Sequence, residues 1–211
     1  MEHFLKMSEP VALARPRGAR RLEAFSPKLS RRVIFFRRAQ LDQWILLEAD
    51  PAVITFCERP GYVVVEEEKR LADFWVRFSG RQELVILSDV DAGEAPAGSR
   101  HDLDAATLPV RTVASAEIAA GHLWIDNWQR MLPYIVANRD LISAALSRAI
   151  ERFLAHPHRL LEVEREFATG DPVLVRAALF GLLHAGKVIA PDLRTQPLSL
   201  LTTFLVEGAH L

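Results

Sequence analysis

Two rhythms of apolar residues run along the chain, and the switch between them divides it. From Val33 to Glu48 the run VIFFRRAQLDQWILLE sets Phe36, Leu41, Trp44, Ile45 and Leu47 at helical spacing. Asp50-Pro51 closes the run, so the pattern predicts a helix over 33–48. Four runs of strand length and strand composition follow: Val53–Phe56, Tyr62–Val65, Leu71–Phe78 and Leu84–Leu87. The breaks Glu66-Glu67-Glu68-Lys69 and Ser79-Gly80-Arg81-Gln82 are too short for crossovers, which predicts an antiparallel meander. Residues 88–106, with glycines, Pro96 and several aspartates, read as a surface loop, Pro109–Thr112 as a further strand and Ala116–Gly121 as a short helix.

Helical spacing then returns. Trp124, Trp128, Leu132 and Ile135 recur every three or four residues, and Leu141, Ala145, Ala149 and Phe153 repeat the pattern. Beyond residue 158 come a helix around Leu160–Phe167, a Gly170-Asp171-Pro172 start signal, a helix over Val173–His184 and a stop at Gly186. Val188-Ile189 and Leu198–Val206 then read as strands. Helix, helix and short hairpin give the outline of a winged helix. The four tryptophans sit where these periodicities place buried faces, so core packing is their expected role.

Composition agrees with a folded α/β chain: 211 residues, half of them hydrophobic and a quarter charged. Charged residues interrupt every apolar run, which predicts a soluble protein, and the basic leader lacks the apolar stretch of a secretory signal. One cysteine, Cys57, excludes an intramolecular disulfide and any zinc site built on several thiolates, so a reducing cytoplasm is expected.

The net charge of −1 hides an asymmetry. Residues 1–40 hold ten basic and three acidic side chains, a net of +7, which leaves −8 for the rest. Pro10, Pro16, Gly18 and Pro27 argue against a helix in the basic stretch and for an arm over residues 1–33. Such an arm has two readings: it tracks nucleic-acid phosphates through Arg15, Arg17, Arg20, Arg21, Lys28, Arg31, Arg32, Arg37 and Arg38, or it is a solvated tail on the protein's own acidic body.

Familiar catalytic signatures are missing. The seven histidines are scattered apart from His156-x-His158, and the chain has no phosphate-cradling glycine loop and no Gly-x-Ser-x-Gly. What stands out is Ala72-Asp73-Phe74 within the strand runs.

With Ser30-Arg31-Arg32-Val33, Leu47-Glu48-Ala49-Asp50-Pro51 and Val53-Ile54-Thr55-Phe56-Cys57-Glu58-Arg59-Pro60, residues 16–90 resemble the N-terminal domain of TnsA-type endonucleases, the 5′-strand-cutting subunits of heteromeric transposases. The stretch from Val110 to Tyr134, with Asn127 before an apolar helix, and the C-terminal part are similar to the same family. The resemblance implies a restriction-endonuclease-like α/β fold over 34–137, a winged-helix-like domain over 138–211, and a PD-(D/E)xK site. In such a site carboxylates hold Mg²⁺, which polarises the scissile phosphate and activates water.

Transferred to this chain, the helix glutamate falls at Gln40, the Pro-Asp pair at Ala72-Asp73, and the Glu-x-Lys at Ile86-Leu87-Ser88. Of the ligand positions only Asp73 keeps a carboxylate, so Gln40 and Ser88 are vestigial and Asp73 is at most a weak metal ligand. The resemblance thus implies a homologue that has lost cutting, needs no cofactor, and binds DNA ends or a transposase or transposition ATPase, with no role for a membrane. Two alternatives stand beside it. One is an active Mg²⁺-dependent endonuclease with carboxylates relocated to Asp42, Glu83, Asp89 or Asp91, and with Arg70 or Arg81 for the lysine absent between Lys69 and Lys187. The other is a winged-helix DNA-binding regulator.

Overall fold

The return of helical spacing after Gly121 coincides with a division of the chain. The computed structural model describes residues 9–65, 67–88 and 108–208. Contacts divide the chain into one unit of Met1–Leu47 with Ala52–Ala120 and another of Glu48–Pro51 with Gly121–Leu211. The fold is mixed α/β, with a mixed sheet flanked by helices. No helix among the described residues is long and apolar enough to cross a membrane.

The first unit runs β1 (Leu22–Ser26), β2 (Arg31–Phe35), α1 (Arg38–Ala49), β3 (Val53–Glu58), β4 (Tyr62–Val65), β5 (Glu68–Leu71), β6 (Phe74–Phe78), β7 (Gln82–Leu87), β8 (Val110–Val113) and α2 (Ser115–Ala120). Its main sheet has the order β3-β6-β7-β8, antiparallel except for the parallel pair β7 and β8. The sheet buries side chains on both faces. Cys57, Trp75, Leu84 and Ile86 pack with Val63 and Leu108 in one apolar cluster. In the alternate register, Phe56 meets Phe74, which in turn meets Phe35 of β2, and Phe35 meets Trp44 of α1.

Three expectations for this unit change. Residues 33–35 belong to β2 and not to a helix: their β-branched and aromatic side chains pair across to β1, with Val33 and Phe35 pointing inward, so α1 begins only at Arg38. The basic stretch is correspondingly no arm beyond residue 21, because Leu22–Phe35 closes as a hairpin. The meander is interrupted too, since β3 pairs with β6 while β4 and β5 pair only with each other. The predicted loop after Ser88 lies outside the described residues.

The second unit contains α3 (His122–Asn138), α4 (Ala144–Phe153), β9 (His158–Arg159), α5 (Leu160–Phe167), α6 (Val173–His184), β10 (Val188–Ile189), a 3-10 turn (Pro191–Arg194) and β11 (Thr203–Val206). The three short strands form an antiparallel sheet in the order β10-β11-β9. Helix α6 is its centre: Val175, Ala177, Ala178, Leu179, Phe180, Leu182 and Leu183 are all buried, and α3, α4 and α5 pack around it. Gly186 ends α6 at φ 71°, with its N–H bonded to the Leu183 carbonyl and that of Lys187 to the Leu182 carbonyl. Only glycine takes that backbone angle without strain, and a Cβ there would also lie 2.7 Å from Pro51. The division falls at 120/121 and not at 137/138, because the stripe Ile125, Trp128, Met131, Leu132 and Ile135 makes α3 part of the helical unit. Asn127, buried on α3, holds the 3-10 turn and the chain after it: its amide donates to the Leu193 and Gln196 carbonyls, and its oxygen accepts from the Leu198 N–H.

Candidate functional site at the head of strand β6

Asp73 precedes the first residue of β6 and is 5% exposed. Its backbone is tied to both neighbouring strands, since its N–H donates to Val85 and its carbonyl accepts from the Arg59 N–H. That fixes the carboxylate against the start of α1. Oδ1 accepts from the Arg37 guanidinium and, at 2.9 Å, from the Gln40 amide; Oδ2 accepts from the Leu87 N–H at 2.8 Å. Of the transferred positions Gln40 alone is brought to Asp73, while Ile86 packs in the apolar cluster with Cys57 and Trp75. Gln40 touches Asp73, and Ser88 follows the residue whose N–H does so, although Ser88 itself is exposed at the end of β7.

The chemistry around Asp73 is not that of a magnesium site. Gln40 points its NH₂ at Asp73, while its oxygen accepts from the Phe36 N–H at 3.4 Å. A glutamate at 40 would set a second anion against Asp73, whose ion-pair partner among the described residues is Arg37. The cation on the carboxylate is a guanidinium, and among the described residues no three acidic, histidine or cysteine side chains come close enough to share a metal ion. The residues present do not fit a hard divalent ion, which needs several anionic oxygens. Of the relocated candidates, Asp42 is held by Arg38 at 2.7 Å, Glu83 lies 3.9 Å from Arg111, and Asp89 and Asp91 fall outside the described residues. Arg81 stacks over the Phe78 ring. His158 stacks on Phe153 beside Glu162.

Next to Asp73 lies a second buried carboxylate that the sequence reading did not single out. Glu58, at the end of β3, pairs through both oxygens with Arg31 at 2.7 and 2.5 Å, which raises the Arg31 pKa above its ordinary value. Arg59 follows in a left-handed conformation (φ 48°), with its guanidinium turned inward to the carbonyls of Val11 and Ile34. Burial lowers the Arg59 pKa, and the nearby charges of Glu58 and Asp73 oppose that shift. The Cys57 thiol is pushed up to about 12, first by burial and then by Glu58. Glu58 was findable, since two-residue alternation puts it on the same face as Phe56, and a charge on an apolar face needs a partner.

The nine basic positions separate by what holds them. Arg21 pairs with Glu23, Lys28 donates to the Leu47 carbonyl, Arg31 is held by Glu58, Arg37 by Asp73 and Arg38 by Asp42. Arg15 bonds the Ala19 carbonyl. Arg17, Arg20 and Arg32 are exposed and form no ion pair among the described residues. In the second unit, the only arginine of α6 is Arg176, engaged by Glu164 at 2.6 Å and the Tyr134 hydroxyl at 3.1 Å. Trp44, Trp75 and Trp128 are buried, and Trp124 is half-buried with Arg194 over its ring. Compared with known proteins, the sequence matches no protein-family model and no curated protein.

Proposed function

We propose that the chain is a TnsA-like, restriction-endonuclease-like subunit that binds DNA without cutting it. One observation carries this reading: Gln40, at the helix-ligand position, meets Asp73 through its NH₂, every donor to that carboxylate is an N–H, and its counter-ion is Arg37. The order α1, three antiparallel strands and a parallel fourth, with the aspartate leading the second strand, supports the fold assignment. Cleavage needs a cation that polarises phosphate and lowers the pKa of water; a guanidinium polarises phosphate but cannot bind and ionise water as a metal does.

The second unit fits a protein-docking, winged-helix-like module. Its element order of α4, β9, α5, α6, β10 and β11 supports the winged-helix outline. The helix that would read a DNA groove, α6, is the buried centre of the unit, which disfavours the regulator reading. A transposase or transposition ATPase is the class of partner this module would engage.

The test combines cutting and binding. Supercoiled plasmid incubated with the protein and Mg²⁺ or Mn²⁺ should stay uncut, while a labelled duplex should bind with affinity that falls as salt rises. Asp73-dependent nicking would establish the active-nuclease alternative, and no duplex binding at low salt would end the proposal.

A further inference from the structure

Arg37 differs from the other arginines that buried carboxylates hold. It gives Asp73 one N–H, and no other acceptor takes its remaining donors among the described residues. Its side chain is 33% exposed against 6% for Asp73. Arg31, by contrast, spends both terminal nitrogens on Glu58 and one again on the Arg32 carbonyl. A guanidinium has five N–H donors in a rigid fork, so most of Arg37's are left over on its exposed side.

Charge around Asp73 favours an anion there. Asp73 and Glu58 both act on Arg59, as does Arg31, so the local group comprises three guanidiniums and two carboxylates, a surplus of one positive charge. Asp73's own charge is spread over the Gln40 amide and the Leu87 N–H as well as Arg37. The first turn of α1, which begins at the residue after Arg37, has no acidic side chain and adds its own positive end.

We propose that Arg37, oriented by the buried carboxylate of Asp73 and the amide of Gln40, is the phosphodiester-gripping residue of a cleavage-free DNA site. The carboxylate that would bind metal in a nuclease is here a positioning residue: it aims a guanidinium where a metal ion would otherwise meet the phosphate. This rests on the DNA-binding reading above and names the contact through which that binding is made at Asp73. The ligand chemistry is the phosphate diester, so the grip carries no base preference.

The experiment titrates a fluorescein-labelled blunt duplex with the full-length protein across a salt series, following anisotropy. Arg37→Ala should weaken binding about tenfold at intermediate salt and reduce the slope of log affinity against log salt by about 0.9, the value for one lost phosphate contact. Arg37→Lys should keep the slope, because the charge stays, but lose part of the affinity with the fork. Removing Arg37 alone strands a buried carboxylate, so the double variant Arg37→Gln with Asp73→Asn, a neutral hydrogen-bonding pair, is measured alongside. It should show the same lost slope with thermal unfolding close to the native protein. Native binding and native slope in either folded variant would overturn the proposal and leave the DNA-binding reading intact. A native protein that binds no duplex would defeat the DNA-binding reading itself.

Discussion

Arg37 and Arg176 both face a buried or nearly buried carboxylate, but they are spent differently. Arg176 bonds Glu164 through Nε and the Tyr134 hydroxyl through a terminal nitrogen; the Glu164 bond first, and the Tyr134 bond after it, raise its pKa well above the ordinary arginine value, and its guanidinium also lies near the Tyr134 ring. It ties α6 to α5 and α3. Arg37, at nearly the same side-chain exposure as Arg176 (33% against 28%), gives one N–H to Asp73 and no other to the described residues. The contrast teaches that arginine content does not locate a ligand surface; what counts is how many donors the fold has already used, and whether the element that carries them is buried.

That contrast can be broken most directly at Leu179, fully buried on α6. Leu179→Ala should cost about 3 kcal/mol in urea unfolding, within the range for core leucines, while a groove-reading helix would lose duplex affinity with little stability. Asn127→Ala comes next. It removes three hydrogen bonds to the chain at 193–198 and leaves buried backbone groups unpaired, an expected loss of about 2 kcal/mol by the same measurement. A change within a few tenths of a kcal/mol (~0.3) would mean the chain there holds without Asn127.

Arg176→Gln sharpens the comparison itself. It should destabilise by about 1 kcal/mol, because Glu164 loses its partner, and leave duplex affinity and its salt slope unchanged. A slope that fell as it does for Arg37→Ala would erase the distinction between the two arginines. The smallest effect is at Glu162, whose carboxylate accepts from the Arg159 N–H at 2.8 Å, with His158 also nearby. That backbone hydrogen bond lowers the Glu162 pKa below its ordinary value. The cap is therefore complete above the ordinary glutamate pKa and is lost as pH falls through the depressed one. An NMR titration of the Glu162 carboxyl should give a midpoint below that of a free glutamate, and the Arg159 amide should lose exchange protection, relative to its intrinsic rate at each pH, beneath it. An ordinary midpoint would remove the capping account.

Much of the element pattern was legible. The helical stripe of α3, the Gly186 stop of α6 and the runs of β3, β4 and β7 follow from local preferences that burial reinforces. The hairpin Leu22–Phe35 was not recognised. Its arginines and Pro27 suggested an irregular arm, while the inward alternation of Leu22, Ala24, Val33 and Phe35 was the better signal. At the site, Asp73, Gln40 and the end of β7 were placed by motif position. Glu58 and Arg59 went unnoticed because their partners Arg31, Val11 and Ile34 are 25 to 48 residues away.

By itself the sequence determined which side chains are available: one carboxylate where a nuclease needs several, a neutral amide at 40, and a surplus of arginine in the first forty residues. Only the tertiary structure decided how those charges are spent. Arg31 is consumed by Glu58, Arg176 is engaged by Glu164 and Tyr134, and Arg37 is held on Asp73 with donors to spare. The reason is physical: ion pairing depends on distances of a few ångströms set by strand register and helix packing, and residues far apart in the chain acquire those distances only when both elements are in place.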